Sequence, residues 1–155
     1  SDRMEISLGT AGLITTVWGV GVTLGAIVGG LIMDKAGDKK ALWVSILTVA
    51  PALVLMAFAP NIPTAFITAA IFGVTYGISQ AVYFALAMKY TQPSIAASMY
   101  SILMAVTNIG QGIGLALSGV LANKFGFPVA FIAFAAIMFL VIPFMPVLFK
   151  KEQSA

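Results

Sequence analysis

Five uncharged apolar stretches dominate the chain, and each reaches or approaches the roughly 20 residues that an α-helix needs to cross a hydrocarbon core about 30 Å thick. They cover residues 8–33, 41–59, 64–88, 94–122 and 127–149. Short polar segments separate them: Asp34 to Lys40, then Pro60-Asn61-Ile62-Pro63, then Lys89 to Pro93, then Asn123-Lys124-Phe125-Gly126. Lipid offers no hydrogen bonds to a backbone, so stretches of this kind must become helices. The expected fold is all-α, a polytopic membrane protein of five transmembrane helices, with residues 1–7 a short segment on one side and 150–155 a basic tail on the other. Composition agrees. Of 155 residues, 61% are hydrophobic and 8% charged, whereas a soluble domain carries about a quarter charged residues.

The same composition excludes several kinds of chemistry. The net charge is +3, but no run of basic residues exists to neutralise phosphates, so nucleic acid is not an expected partner. Cysteine and histidine are both absent, and no acid lies inside an apolar stretch. Thiolate, zinc and histidine acid/base catalysis therefore drop out, and the chain is read as neither an enzyme nor a holder of metal or cofactor. The short loops allow the positive-inside rule to assign orientation. Five crossings put Lys35, Lys39, Lys40, Lys89, Lys150 and Lys151 on one face and only Arg3 and Lys124 on the other. This places the C-terminus in the cytoplasm and the N-terminus outside, in an inner or plasma membrane.

The most informative residues run from Gly30 to Lys40: Gly30-Leu31-Ile32-Met33-Asp34-Lys35-Ala36-Gly37-Asp38-Lys39-Lys40. They resemble the signature loop of the major facilitator superfamily of transporters, in which a glycine, three residues, Asp, a base, a spacer and Gly precede further bases. Asp38 departs from that pattern, which usually has Arg or Lys there. The loop chemistry suits the resemblance: Gly30 would let two helices close up, Gly37 permits a tight turn, and Asp34 can accept from exposed N–H groups at a neighbouring helix N-terminus. By this resemblance Gly30, Asp34, Lys35, Gly37, Lys39 and Lys40 form a conformational-switch motif. Gly119-Val120-Leu121-Ala122-Asn123-Lys124-Phe125-Gly126 repeats the skeleton with Asn123 in place of Asp34.

The resemblance implies a six-helix half-bundle built from inverted three-helix repeats. With a signature turn after the second helix of each triplet, the five spans are helices two and three of one triplet and all of the next. On this reading the first helix of the half is missing, and the half is the C-terminal one. Thr91-Gln92, Met99 to Met104 and Thr107 to Gly110 look loosely like the muropeptide and acetyl-coenzyme A permease branch.

Polar side chains within the spans are uneven. The stretch 127–149 has none and 41–59 has only Ser45 and Thr48, which marks both as lipid-facing. At 100° per residue Tyr76, Gln80 and Tyr83 share one helix face, and Ser101, Met104, Asn108, Gln111 and Ser118 share another. The resemblance puts the same two helices on the central cavity, so Tyr76, Gln80, Tyr83, Asn108 and Gln111 are the candidate substrate-binding residues. Thr15, Thr16, Trp18 and Thr23 are weaker candidates for the same wall. The blander alternative for Ser, Thr, Asn and Gln is hydrogen bonding that only joins helices. Gly21, Gly25 and Gly29, with Gly73 and Gly77, fall at the spacing of close helix packing, as do the crowded Gly110, Gly112 and Gly114.

The functional expectation is secondary-active or facilitative transport of a small-molecule solute by alternating access, with this chain part of one half. The partners are the lipid bilayer, the solute, and either the missing half or a second copy as a homodimer. The alternative is a non-transporting scaffold whose glycine faces bind other membrane helices.

Overall fold

A computed structural model of the chain describes residues 7–59 and 61–141. Its elements are α1 (Leu8–Ala36), α2 (Asp38–Ala57), α3 (Ile62–Lys89), a 3₁₀ turn (Pro93–Ile95), α4 (Ala96–Phe125) and α5 (Phe127–Val141), and no strand occurs among the described residues. Four of the helices are long and apolar enough to cross a membrane, and α5 is a shorter apolar helix. The remainder of the 127–149 stretch, residues 1–6 and the basic tail 150–155 lie outside the described residues.

Local signals explain the helix ends. Ser7 caps α1 by accepting from the Thr10 N–H at 3.2 Å. Asn61 and Thr64 form a reciprocal capping box at the start of α3, with Pro63 in the first turn. The two glycine turns are near copies of each other. Gly37 has φ 78° and ψ 167°, and Gly126 has φ 88° and ψ 161°, a region essentially closed to residues with a Cβ. Gly37 N–H bonds the Met33 carbonyl while its own carbonyl accepts from Ala41; Gly126 N–H bonds Ala122 while its carbonyl accepts from Ala130. One residue thus ends a helix and begins the next at both places.

The core is a backbone-to-backbone contact between α1 and α3, the most extensive helix pair in the chain. A Cβ on Gly21 would lie 2.9 Å from the Ala70 carbonyl oxygen and one on Gly29 2.8 Å from that of Ile78. At Gly25 it would collide with Val74, and at Gly77 with Val22. The close approach falls at Gly29, as its spacing from Gly21 and Gly25 implies, whereas at Gly30, also expected to let two helices close up, a Cβ would meet nothing within 4 Å. One residue is 100° of helix rotation, which turns Gly30 away from α3.

Two other expectations need correcting. Helix α2 is not a lipid-facing outlier but packs between α3 and α5, burying Ala41, Ser45, Val49, Ala50, Ala52 and Ala57. Small residues let it approach closely, and Ser45, 1% exposed, turns its hydroxyl onto the Leu42 carbonyl at 2.8 Å. Conversely α4 buries no residue, and Gly110, Gly112, Gly114 and Gly119 face open space.

Gly25→Ala should therefore cost at least the roughly 1–3 kcal/mol typical of overpacking. Gly112→Ala should be neutral or stabilise by up to about 1 kcal/mol through helix propensity. Thermal denaturation in detergent micelles measures both, and equal effects at the two positions would contradict the packing described.

Candidate functional site

Polar side chains from three helices meet near the middle of the bundle. Gly73 admits the backbone carbonyl of Trp18 against α3, which sets the Trp18 indole beside the ring of Tyr76, with centroids 5.8 Å apart. Phe72 flanks Tyr76 at 5.9 Å. The Tyr76 hydroxyl oxygen accepts from Gln80 Nε2 at 2.6 Å, one turn along α3, and from Gln111 Nε2 at 2.8 Å across to α4. Tyr76, Gln80 and Gln111, expected to share a wall, are thus one hydrogen-bonded group. The Trp18 Nε1 atom is buried and has no hydrogen-bond partner among the described residues.

The remaining candidates stand apart from it. Tyr83, 43% exposed, lies edge-on to Phe84 at 5.3 Å, and Phe84 in turn faces Tyr100 of α4 at 5.7 Å. Asn108 is exposed on α4. The hydroxyls are occupied locally. Thr15, Thr16, Thr23, Ser101 and Thr107 each bond a carbonyl four residues back, and Thr75 and Ser118 one three residues back. Their donor protons are spent within their own helices, so these hydroxyls do not donate across to another helix. Ser118 instead lines a mostly apolar cavity of about 200 Å³ between α2, α4 and α5, with Leu53, Phe127, Phe131 and Phe134.

At the other end of α1 lies the signature loop. Asp34, Lys35, Gly37, Lys39 and Lys40 are exposed, and Asp34 makes no hydrogen bond or ion pair among the described residues. A carboxylate in the last turn of a helix opposes the negative end of the helix dipole, at about 0.3–1 kcal/mol. Asp38, which breaks the family pattern, behaves differently. Its carboxylate opens α2 and takes Lys89 Nζ at 2.7 and 2.8 Å and the Tyr90 hydroxyl at 3.0 Å, joining the start of α2 to the end of α3. Sequence reading did not pair these residues; the only signal was the sign reversal at position 38.

A family model described as Major Facilitator Superfamily matches residues 2–155. Among curated proteins, the chain is similar to the "Major facilitator superfamily multidrug transporter mfsB" of Aspergillus fumigatus, with 31% identity over 122 residues. That alignment takes in 79% of this chain and 20% of the relative, so the chain spans about one-fifth of that protein's length.

Tyr76→Phe keeps the ring beside Trp18 but removes the shared acceptor, and should cost about 0.6–1.7 kcal/mol, the range for interhelical hydrogen bonds in membranes. In that background Gln111→Leu should cost nothing further. A double-mutant cycle by thermal unfolding reads the coupling, and strict additivity would mean that the bond carries no stability.

Proposed function

Because the chain belongs to the major facilitator superfamily, a family of membrane transporters, we propose that it forms part of one half of a solute transporter working by alternating access. The reading rests above all on the polar group that α1, α3 and α4 assemble around Tyr76, in a bundle whose mid-helix threonine hydroxyls bond carbonyls of their own helices. Tyr76, Gln80 and Gln111 form the solute-facing wall, with Tyr83 and Asn108 along the same helices. The second half, or a second copy of the chain, covers α4, whose glycines would otherwise weaken the helix by up to about 1 kcal/mol each without any packing gain.

Asp34 acts as the latch. It sits where its own helix disfavours a carboxylate and has no partner among the described residues, so it is free to accept from a helix N-terminus elsewhere in the assembly. Made in one state and broken in the other, that contact biases the equilibrium between them. The near-identical turns at Gly37 and Gly126 support an inverted pair of triplets, with the Lys35 loop cytoplasmic and the Lys124 loop outside.

In cells producing the longer transporter, Asp34→Asn should slow flux of an accumulated labelled solute about five-fold or more, the effect of losing about 1 kcal/mol of state-specific contact. Its abundance in the membrane should be unchanged, and unaltered flux would remove the latch. These 155 residues contain no cysteine, so in a longer transporter whose other cysteines are replaced, Ala36→Cys and Lys124→Cys introduce unique labels. An impermeant maleimide applied to intact cells should reach position 124 and not position 36; labelling of both would refute the inverted topology.

A further inference from the structure

We infer that the group around Tyr76 selects an uncharged solute that presents a hydrogen-bond acceptor next to a flat or apolar face, with Trp18 supplying the donor. The inference rests on the transport reading and names the substrate class for that site. Its first support is an inventory of hydrogen-bonding capacity. Tyr76 accepts from both amides, so its own O–H proton is unspent, as are the Gln80 and Gln111 carbonyl oxygens. Flipping one amide would use the Tyr76 proton and free an amide N–H₂ in exchange, which still leaves that N–H₂ and the other amide's carbonyl oxygen unspent. Trp18 Nε1 adds a buried donor without an acceptor. Native interiors rarely leave such a group unanswered, and a ligand acceptor answers it.

The second support is electrostatic. Every one of these groups is neutral, and no Asp, Glu, Lys or Arg lies within 8–33, 41–59, 64–88 or 94–122. The nearest charges along each helix are distant: Asp34 is about 24 Å from Trp18 on α1, Lys89 about 20 Å from Tyr76 on α3, and Lys124 about 20 Å from Gln111 on α4, at 1.5 Å per residue. A charged solute held here would meet no counter-charge from the spans of this chain, whereas a neutral carbonyl, ether or hydroxyl would take the Trp18 N–H beside Tyr76. The rings of Trp18, Tyr76 and Phe72 provide the apolar contact.

In the longer transporter carrying Trp43→Phe and with the tryptophans outside these 155 residues replaced, Trp18 is the single tryptophan, and in lipid vesicles its emission reports on the site. Benzamide, benzoate and benzylammonium are close in size and differ in charge. Benzamide should change the Trp18 emission saturably, with each ion needing at least about tenfold higher concentration, as an uncompensated charge at membrane depth implies. Gln111→Leu should raise the benzamide midpoint several-fold. Either ion matching benzamide, or no saturable response to benzamide, overturns the inference. If an ion matches benzamide while flux through the longer transporter still depends on Asp34, the neutral-solute inference falls and the transport reading stands. If benzamide leads the order while flux ignores Asp34, the inference stands and the latch falls.

Discussion

The architecture depends on α1 and α3 touching backbone to backbone. In lipid, helices gain little from hiding apolar surface, because the tails are as apolar as the side chains, so association rests on van der Waals packing and shape. Gly21, Gly25 and Gly29 on α1 and Gly73 and Gly77 on α3 remove the side chains that would hold the two axes apart. Everything at the site is downstream of that approach. Gly73 receives the Trp18 carbonyl, the indole then falls beside Tyr76, and the Tyr76 hydroxyl is held where amides from two helices reach it.

Polar side chains divide into two kinds by what their geometry permits. A Ser or Thr hydroxyl sits on a short stem and reaches a carbonyl of its own helix, as Thr16, Thr48 and Thr107 do, so it is quiet in a membrane. A carboxamide carries two donors and an acceptor that can take two bonds, more than its own helix can satisfy. Gln80 reaches the Tyr76 hydroxyl along its own helix and Gln111 reaches it from α4, and this separates a polar face with consequences from one without. Asp38 follows the same logic outside the hydrocarbon: its carboxylate is answered by Lys89 and Tyr90, whereas Asp34, one turn earlier, is left exposed.

Much of this was legible in the residue order, because punctuation by charge and proline is a one-dimensional signal. The family, the helical architecture and the meeting of Tyr76 with Gln80 at four-residue spacing could all be read along the chain. The pairing of Gln111 with Tyr76 could be expected as a shared wall but not as a bond, since that depends on how far apart α3 and α4 stand. Gly29 continues the four-residue series of Gly21 and Gly25, but that Gly30 meets nothing on α3 is visible only once α3 is placed. Poverty in polar residues describes both a lipid-facing helix and one wedged by alanines between two neighbours, so the place of α2 is not written in its composition. Trp18 looked minor because its role comes from a glycine on another helix.

The two glycine elbows have a mechanical consequence. A linker of one residue has only two soft torsions, and at Gly37 and Gly126 both neighbouring helices already claim that residue's N–H and carbonyl. Torque applied to α1 therefore passes directly into α2, and from α4 into α5, as through a bent rod.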